Sequence, residues 1–334
     1  MFQYPINILC FNRPEYLERL FISILDQTIR IPEDKIFFWI DGYPNSKDQF
    51  LNRSDKTSTV KSLIRQYFPN SHAFHSDENL GIAKNYWRAE VNSFEKLGFD
   101  AAFFLEEDLV LSQYYFENLI KMSQFFEKDD DVSHLSPSGD VPPVLTNPSS
   151  PFQAFGHNWG YLLKAWHHFE RRELLCEYLE FISHRPYHLR KMVETEILEH
   201  FFARGIVLAG TSQDAIKDAL RNYFSRISVT TLDVWASNIG VVGEHFQHET
   251  PHNNRPLCAD ITRFPAFFDP SIKPILLKDG INKTLRLVFQ NYIEPLTQMV
   301  VERDALVVER DALVGSTIWK LTKLPRKIAT RIRL

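Results

Sequence analysis

Residues 103–112, FFLEEDLVLS, place three neighbouring acids directly after an apolar run. The apolar residues at 101–105 are typical of a buried strand. Like charges at adjacent positions repel each other, and partial burial increases that cost. Glu106, Glu107 and Asp108 are therefore either solvated acids that open the next helix, where negative charge suits the helix dipole, or carboxylates that face a bound cation.

Strand-like and helix-like segments alternate through the first 111 residues. The pattern predicts strands at 6–11, 35–40, 72–75 and 101–105, and helices at 15–27, 60–68 and 81–97. This alternation is typical of an α/β protein with a mixed, mostly parallel sheet flanked by helices. Such sheets bind ligands beyond the carboxyl ends of their strands. We expect the polar residues at 12–13, 41–42 and 106–108 to meet there, without a glycine-rich dinucleotide or phosphate loop.

The second half of the chain is less regular. A proline- and serine-rich stretch at 136–154 predicts a long loop. It is followed by predicted helices at 164–183 and 187–204, a short strand at 206–209, and a helix that Ser212 could cap. The segment at 238–252 is polar and contains His245 and His248.

The C-terminal residues have a different composition. The heptad VERDALV at 301–307 repeats at 308–314, which predicts a short helix or coiled coil and self-association through it. The tail at 315–334 carries six Lys or Arg residues and no acid, interleaved with apolar residues. It predicts either contact with an anionic membrane surface or a disordered solubilising tail. We expect a domain at 1–255, a linker or helical extension at 256–299, and this terminal segment at 300–334.

Composition excludes several classes of protein. A net charge of -4 argues against general nucleic-acid binding. Three widely spaced cysteines fit a reducing compartment better than a disulfide scaffold. No signal-peptide pattern and no run of about 18 uncharged apolar residues is visible. We therefore expect a cytoplasmic protein, peripheral to the membrane if its tail binds lipid.

Residues 79–111, NLGIAKNYWRAEVNSFEKLGFDAAFFLEEDLVL, resemble glycosyltransferases of the GT-A fold, notably the N-acetylglucosaminyltransferase I type. In that family a helix of I-A-x-x-Y form precedes a strand that ends in an E-D-D version of the D-x-D motif. Residues 8–20, ILCFNRPEYLERL, look like the family's first strand and nucleotide-binding turn. WGYLLKAW at 159–166 and NIGVVGEH at 238–245 resemble bacterial relatives that decorate surface polysaccharides. The similarity covers residues 6–250.

The resemblance implies transfer of a sugar from a nucleotide-sugar, UDP-linked, to a glycan or glycolipid acceptor. A diphosphate leaves in this reaction, and a hard divalent cation, Mn²⁺ or Mg²⁺, stabilises its growing charge. By resemblance Asp108 is the metal ligand, Glu107 lies by the ribose or the metal-bound waters, and Glu106 lies by the sugar. This chain has Glu107 where the family has Asp.

The same resemblance implies further donor contacts. Arg13 would contact the nucleotide, Asp41 the base, and Lys84 a phosphate. Without the resemblance they read as a surface ion pair, a turn residue and a helix-surface lysine. Asn85 stands where the family has a histidine that contacts the base. His248, with His245 as the alternative, would reach the metal or the diphosphate.

Asp214 occupies a place like that of the family's catalytic aspartate. An inverting transfer needs a base that deprotonates the acceptor hydroxyl. Asp218, one helical turn further on, is the competing candidate. Both could instead be acids near a helix N-terminus, where they suit the helix dipole.

Two other functions also fit acids at a strand end. A glycoside hydrolase uses paired carboxylates, but it needs them about 5–10 Å apart on opposite sides of a sugar. The adjacent Glu106 and Glu107 do not supply that arrangement by themselves. A non-catalytic protein could keep the same fold and bind partners through the VERDALV helix. Dependence on a nucleotide separates a glycosyltransferase from a glycoside hydrolase, and the absence of nucleotide binding would favour the non-catalytic protein.

Overall fold

The computed structural model describes residues 2–43, 54–139, 152–154, 159–183, 192–241 and 256–315. The first part contains β1 (Ile6–Cys10), α1 (Pro14–Leu25), β2 (Ile36–Ile40), α2 (Thr57–Tyr67), β3 (His72–His75), α3 (Gly81–Glu90), β4 (Ala101–Glu106), β5 (Leu109–Leu111) and α4 (Tyr115–Phe125). A wider helical segment, Val91–Lys96, continues α3. The second part contains β6 (Val132–Ser136), β7 (Phe152–Gln153), β8 (Tyr161–Lys164), α5 (Ala165–Ser183), α6 (Glu194–Phe202), α7 (Gln213–Tyr223), β9 (Ile227–Thr231), β10 (Ala236–Asn238), α8 (Lys273–Val288) and α9 (Glu294–Gly315).

Eight strands form one mixed sheet in the order β3-β2-β1-β4-β8-β6-β9-β7. Strands β3, β2, β1 and β4 are parallel, and so are β6 and β9. The central strand β8 runs antiparallel to both of its neighbours, β4 and β6, and β7 runs antiparallel to β9. The predicted α/β class with a mixed, mostly parallel sheet is confirmed.

The inner strands are buried along their whole length because helices cover both faces of the sheet. Ile6 and Ile8 of β1 belong to the apolar cluster that contains the inner face of α1. Leu9, which points to the other face, packs in the cluster that contains Tyr86 of α3 and Phe104 of β4. In β1 and β4 the register pairs Leu9 with Glu106. The turn after β1 therefore lies beside the acids that follow β4.

The structure differs from the sequence-based expectations in the second half of the chain. Residues 206–209 are not a strand, although Ile206 and Leu208 are buried and Val207 is 39% exposed. This alternation mimics a half-buried strand, but here a loop places the two apolar side chains in the cluster formed by α5, α6 and α7. Strand β8 was not predicted, because its four residues run directly into α5 and a short apolar run does not distinguish strand from helix.

The chain divides into two compact units, one up to Thr284 and one from Leu285. In the second unit both VERDALV heptads lie on α9, so the predicted helix is confirmed. The side chains of Val301, Leu306 and Val308 are 58%, 64% and 68% exposed. No helix in the described ranges is both long enough and apolar enough to span a bilayer. The basic tail beyond Gly315 and most of the predicted loop at 136–154 lie outside the described residues.

Candidate active site

The carboxyl ends of β1 and β4 bring Arg13 against two of the three acids. Its Nε donates to Oε1 of Glu107 at 2.6 Å, and its Nη1 donates to Oδ2 of Asp108 at 2.9 Å. The backbone N–H of Phe11 donates to the other carboxylate oxygen of Glu107 at 2.8 Å. Burial lowers the pKa of Arg13, but the charges of Glu107 and Asp108 outweigh it and raise that pKa above its usual value. Arg13 is therefore a permanent cation that holds both acids.

Asp108 is also held by residues of β10 and the turn after it, which lie 130 residues further along the chain. The side-chain N–H of Asn238 on β10 donates to its Oδ1 at 3.3 Å. The backbone N–H of Ile239 donates to its backbone carbonyl at 2.8 Å. Gly240 follows so closely that a Cβ atom at that position would lie 2.6 Å from Oδ2 of Asp108. The absence of a side chain at Gly240 thus keeps space beside this carboxylate.

Glu106 lies in the same cluster but has a different environment. The hydroxyl of Tyr86 on α3 donates to its Oε1 at 3.1 Å. Burial, followed by the negative charges of Asp108 and Asp214, raises the pKa of Glu106 to about 8. Without a bound ligand Glu106 is therefore mostly protonated at pH 7. The cluster holds more negative charge than Arg13 compensates.

Asp214 lies on the first turn of α7, whose start Ser212 caps as the sequence predicted. Its charge contributes to the raised pKa values of Glu106, Tyr86 and Tyr161. The side-chain N–H of Gln213 donates to its Oδ1 at 2.6 Å. The structure thus brings Asp214 to the acids after β4, across a gap of more than a hundred residues in the chain.

Asp218, the competing acid on α7, has a different partner. Its Oδ1 lies 2.9 Å from Nη1 of Arg221, and both residues are buried. This pair fits a structural role for Asp218. Of the two acids, Asp214 is the one whose charge acts on Glu106.

Asp41 follows β2 and connects it to the start of α3. Its Oδ1 accepts hydrogen bonds from the backbone N–H groups of Gly42 and Leu80, at 2.9 and 2.7 Å. Its Oδ2 accepts from the N–H of Gly81 at 2.9 Å. Burial raises the pKa of Asp41 above its usual value, although these N–H groups partly offset that rise. Asp41 therefore fixes the N-terminus of α3, and a contact with a base stays a prediction.

The remaining predicted residues lie elsewhere or outside the described part of the chain. Nζ of Lys84 donates to the carbonyl of Ser183 at the end of α5, at 3.2 Å. The side-chain N–H of Asn85 donates to the buried carbonyl of Trp39 at 2.9 Å. His245 and His248 fall outside the described residues. Their proposed contacts with phosphate or metal stay predictions.

Sequence reasoning did not assign several residues of this cluster. Tyr86 is the last residue of the I-A-x-x-Y pattern, and in the structure its hydroxyl donates a hydrogen bond to Glu106. Asn238 and Gly240 were visible in the N-I-G stretch. Lys217 of α7, whose ammonium group lies 3.8 Å from the centre of the Tyr86 ring, gave no signal, because a lysine within a helical pattern reads as a solvent-exposed residue.

The cluster suits a hard divalent cation in its charge and its donor atoms. Burial and, after it, the negative charges of Asp108 and Asp214 raise the pKa of Glu106, and carboxylate oxygens are the ligands that Mg²⁺ and Mn²⁺ prefer. Within the described residues no group of three His, Cys, Asp or Glu side chains could hold a metal. A cation at Asp108 would therefore need further oxygen ligands from a bound diphosphate and from water.

No protein-family model matches this chain, and no curated protein matches it by sequence. Solved structures do match. The mannosyltransferase PcManGT from Pyrobaculum calidifontis, in complex with GDP-Man and Mn²⁺, is 13% identical with a TM-score of 0.34, over 51% of this chain and 47% of its own. S. aureus TarS 1-349 is 14% identical with a TM-score of 0.34, over 50% and 49%.

GalNAc-T7 with UDP, GalNAc and Mn²⁺ is 10% identical with a TM-score of 0.36, over 50% of this chain and 36% of its own. The chain therefore spans about half or less of the length of the solved proteins it matches. At such identities and TM-scores, the case for a function depends on the geometry of the site.

Proposed function

We propose that this protein is a metal-dependent glycosyltransferase of the GT-A type. It moves a sugar from a nucleotide-sugar, UDP-linked, to a hydroxyl of a glycan or glycolipid acceptor. One observation carries the proposal: Arg13 holds Glu107 and Asp108 together at the carboxyl end of β4, and Asp214 on α7 lies close enough for its charge to raise the pKa of Glu106. This arrangement combines carboxylates that can bind a cation with a separate acid, Asp214, that can act as a base.

On the donor side, Asp108 would hold Mn²⁺ or Mg²⁺, with His248 as a further contact. The bound ion supplies positive charge for the leaving diphosphate. Arg13 adds a fixed positive charge at the same place, and Glu107 lies by the ribose or the metal-bound waters. Asp41 at the base and Lys84 at a phosphate complete the proposed donor contacts.

On the acceptor side, Asp214 acts as the general base. The acceptor oxygen attacks the anomeric carbon, the bond from that carbon to the diphosphate breaks, and the hydroxyl proton moves to Asp214. Attack from the side opposite the leaving group inverts the configuration. Glu106 lies by the sugar, where its carboxyl group can bind a sugar hydroxyl.

The proposed setting is the synthesis of a bacterial surface polysaccharide at the inner face of the cell membrane. The six basic residues of the tail at 315–334, interleaved with apolar residues, support peripheral contact with anionic lipid. The exposed apolar side chains of α9 within an exact heptad repeat support self-association through that helix.

A thermal-shift screen of nucleotide-sugars, each with and without Mn²⁺, tests this function. We expect stabilisation that requires both a nucleotide and the metal, because ligands that bind the folded state raise its melting temperature. Cleavage of glycosides without any nucleotide would indicate a hydrolase instead. The absence of nucleotide binding would favour a non-catalytic interaction protein.

A further inference from the structure

A buried ion cluster lies behind the candidate site and joins α3, α5 and α7. At its centre is Glu90 of α3, which accepts two hydrogen bonds from Nη2 of Arg171 at 2.9 Å. Its Oε2 also lies 3.0 Å from Nδ1 of His168. Burial raises the pKa of Glu90, but the charges of Arg171 and Lys217 outweigh it and hold that pKa well below its usual range. Glu90 is therefore a buried anion.

Lys217 of α7 is the member of this cluster that reaches toward the site. Its Nζ lies 3.2 Å from Oε1 of Glu90 and donates to the hydroxyl of Tyr161 at 3.4 Å. The same ammonium group lies 3.8 Å from the centre of the Tyr86 ring. Such a cation–π contact is strengthened when water is excluded, and only 2% of the Lys217 side chain is exposed. The position of the ammonium group is thus set from three directions.

Tyr86 connects Lys217 to the acids after β4. Its ring stacks on Tyr161 with the centroids 6.3 Å apart and an angle of 15° between the planes. Its hydroxyl donates to Glu106 at 3.1 Å. A continuous series of contacts therefore runs from Glu90 through Lys217 and Tyr86 to Glu106.

We propose that Lys217 is a positioning residue for the transfer reaction. Held by Glu90, it fixes the ring of Tyr86 and, through the Tyr86 hydroxyl, the carboxyl group of Glu106. This inference rests on the proposed function, in which Glu106 lies by the sugar. Lys217 touches no reacting atom itself. Its loss lets the ring and the carboxyl group shift, and a displacement of about 1 Å near a reacting centre can lower the rate about 10²-fold.

A different result is expected if Lys217 only forms a structural ion pair with Glu90. Removal of Lys217 would then leave Glu90 with less compensation in the interior and destabilise the fold. The effect would not depend on the hydroxyl of Tyr86, and turnover per folded molecule would stay near that of the wild type. If Lys217 is a positioning residue, its removal lowers turnover without weakening donor binding. This loss of turnover requires the Tyr86 hydroxyl.

The test is a double-mutant cycle of Lys217→Met and Tyr86→Phe in the full chain with Mn²⁺. Turnover is the release of nucleotide by hydrolysis of the most active donor among UDP-N-acetylglucosamine, UDP-glucose and GDP-mannose. Affinity is measured by calorimetry with the matching nucleoside diphosphate. We expect each single change to lower turnover at least about tenfold and to leave the affinity within about twofold. With Tyr86→Phe already present, Lys217→Met should cost less than about threefold.

Two further variants serve as controls for the cycle. Lys217→Arg keeps the buried positive charge and should restore part of the turnover. Lys121→Met removes a lysine that is paired with Glu117 on α4, 2.9 Å away, and should keep wild-type turnover. Equal losses from Lys217→Met with and without the Tyr86 hydroxyl would overturn the proposal. If Lys217→Met does not fold, wild-type turnover in Tyr86→Phe overturns it, because that variant removes only the hydroxyl.

The proposed function can fail independently of this inference. An Asp108→Asn variant that turns over like the wild type, or a wild-type chain without turnover on any of the donors, refutes the transferase site itself. An inactive Asp108→Asn beside a fully active Tyr86→Phe refutes the role of Lys217 and leaves the site intact.

Discussion

At the scale of single residues, each of the three acids at the end of β4 has a different set of partners. Glu107 binds the guanidinium of Arg13 and a backbone N–H, Asp108 binds Arg13 and Asn238, and Glu106 binds the hydroxyl of Tyr86. These partners come from the turn after β1, from β10 and from α3. Because Glu106 has no cation in direct contact among its described hydrogen bonds, it is the acid whose protonation depends most on what binds the site.

Glu106 makes the stability of the ligand-free protein depend on pH. Burial and the charges of Asp108 and Asp214 raise its pKa to about 8, from an ordinary value of 4.5. Between these values the folded protein keeps a proton that the unfolded chain loses, so the free energy of unfolding falls as the pH rises. The slope from this one group is at most about 1.4 kcal/mol per pH unit.

Glu106→Gln removes this contribution, because an amide does not titrate. We expect urea unfolding between about pH 5 and pH 7.5 to show a shallower loss of stability with rising pH in Glu106→Gln than in the wild type. Parallel curves for the two proteins would contradict the assignment. Glu127→Gln, at an acid outside the cluster, serves as the control and should keep the wild-type slope.

Gly240 gives a second prediction at the residue scale. A Cβ atom there would lie 2.6 Å from Oδ2 of Asp108, so Gly240→Ala must displace that carboxylate or the backbone beside it. We expect Gly240→Ala to weaken Mn²⁺-dependent binding of UDP at least about tenfold, or about 1.4 kcal/mol, in calorimetry. The control is Gly210→Ala, whose added Cβ meets only an ordinary contact at 3.7 Å from Ala215. Equal binding by both variants would show that the space beside Asp108 is not used.

At the scale of elements, α7 carries two acids with separate partners. The charge of Asp214 on its first turn raises the pKa of Glu106, whereas Asp218 pairs with Arg221. We expect Asp214→Asn to lower turnover about 10²–10⁴-fold and to keep the affinity for UDP, because a base acts on the acceptor proton. Asp218→Asn should keep turnover and lower the melting temperature. If Asp218→Asn is inactive and Asp214→Asn is not, the base lies one helical turn further on.

Some elements were predictable from the sequence for clear physical reasons. Parallel strands bring their carboxyl ends to one edge, so the meeting of Arg13 with the acids after β4 followed from the alternation of strands and helices. The Ser212 cap followed from side-chain chemistry alone. Neither prediction requires knowledge of tertiary contacts beyond the order of the strands in the sheet.

Other elements depend on tertiary packing that a local pattern does not contain. The four residues of β8 look like the start of α5, and only their place between β4 and β6 makes them a strand. The alternating burial at 206–209 looks like a strand and is a loop. Lys217 looks like a surface residue, and Glu90, far away in the chain, is what allows its burial.

At the scale of the whole molecule, the chain has a folded first unit and a helical second unit that leads to a basic tail. Deletion of residues 315–334 should leave binding of UDP and Mn²⁺ unchanged and weaken sedimentation with anionic liposomes. We expect this result because six basic residues attract anionic lipid and the interleaved apolar residues favour the membrane interface. Neutral liposomes are the control. Equal sedimentation of both proteins with anionic liposomes would contradict a role of the tail in membrane contact.

The central claim is that Asp108 serves a metal-dependent nucleotide site. Calorimetry with UDP in the presence and absence of Mn²⁺ tests it most directly, with Asp108→Asn compared against Asp100→Asn, an exposed acid at the opposite end of β4. We predict that the wild type and Asp100→Asn bind UDP only with Mn²⁺, and that Asp108→Asn stays folded and loses at least about tenfold in affinity, about 1.4 kcal/mol. Undiminished, metal-dependent binding of UDP by Asp108→Asn would contradict the claim.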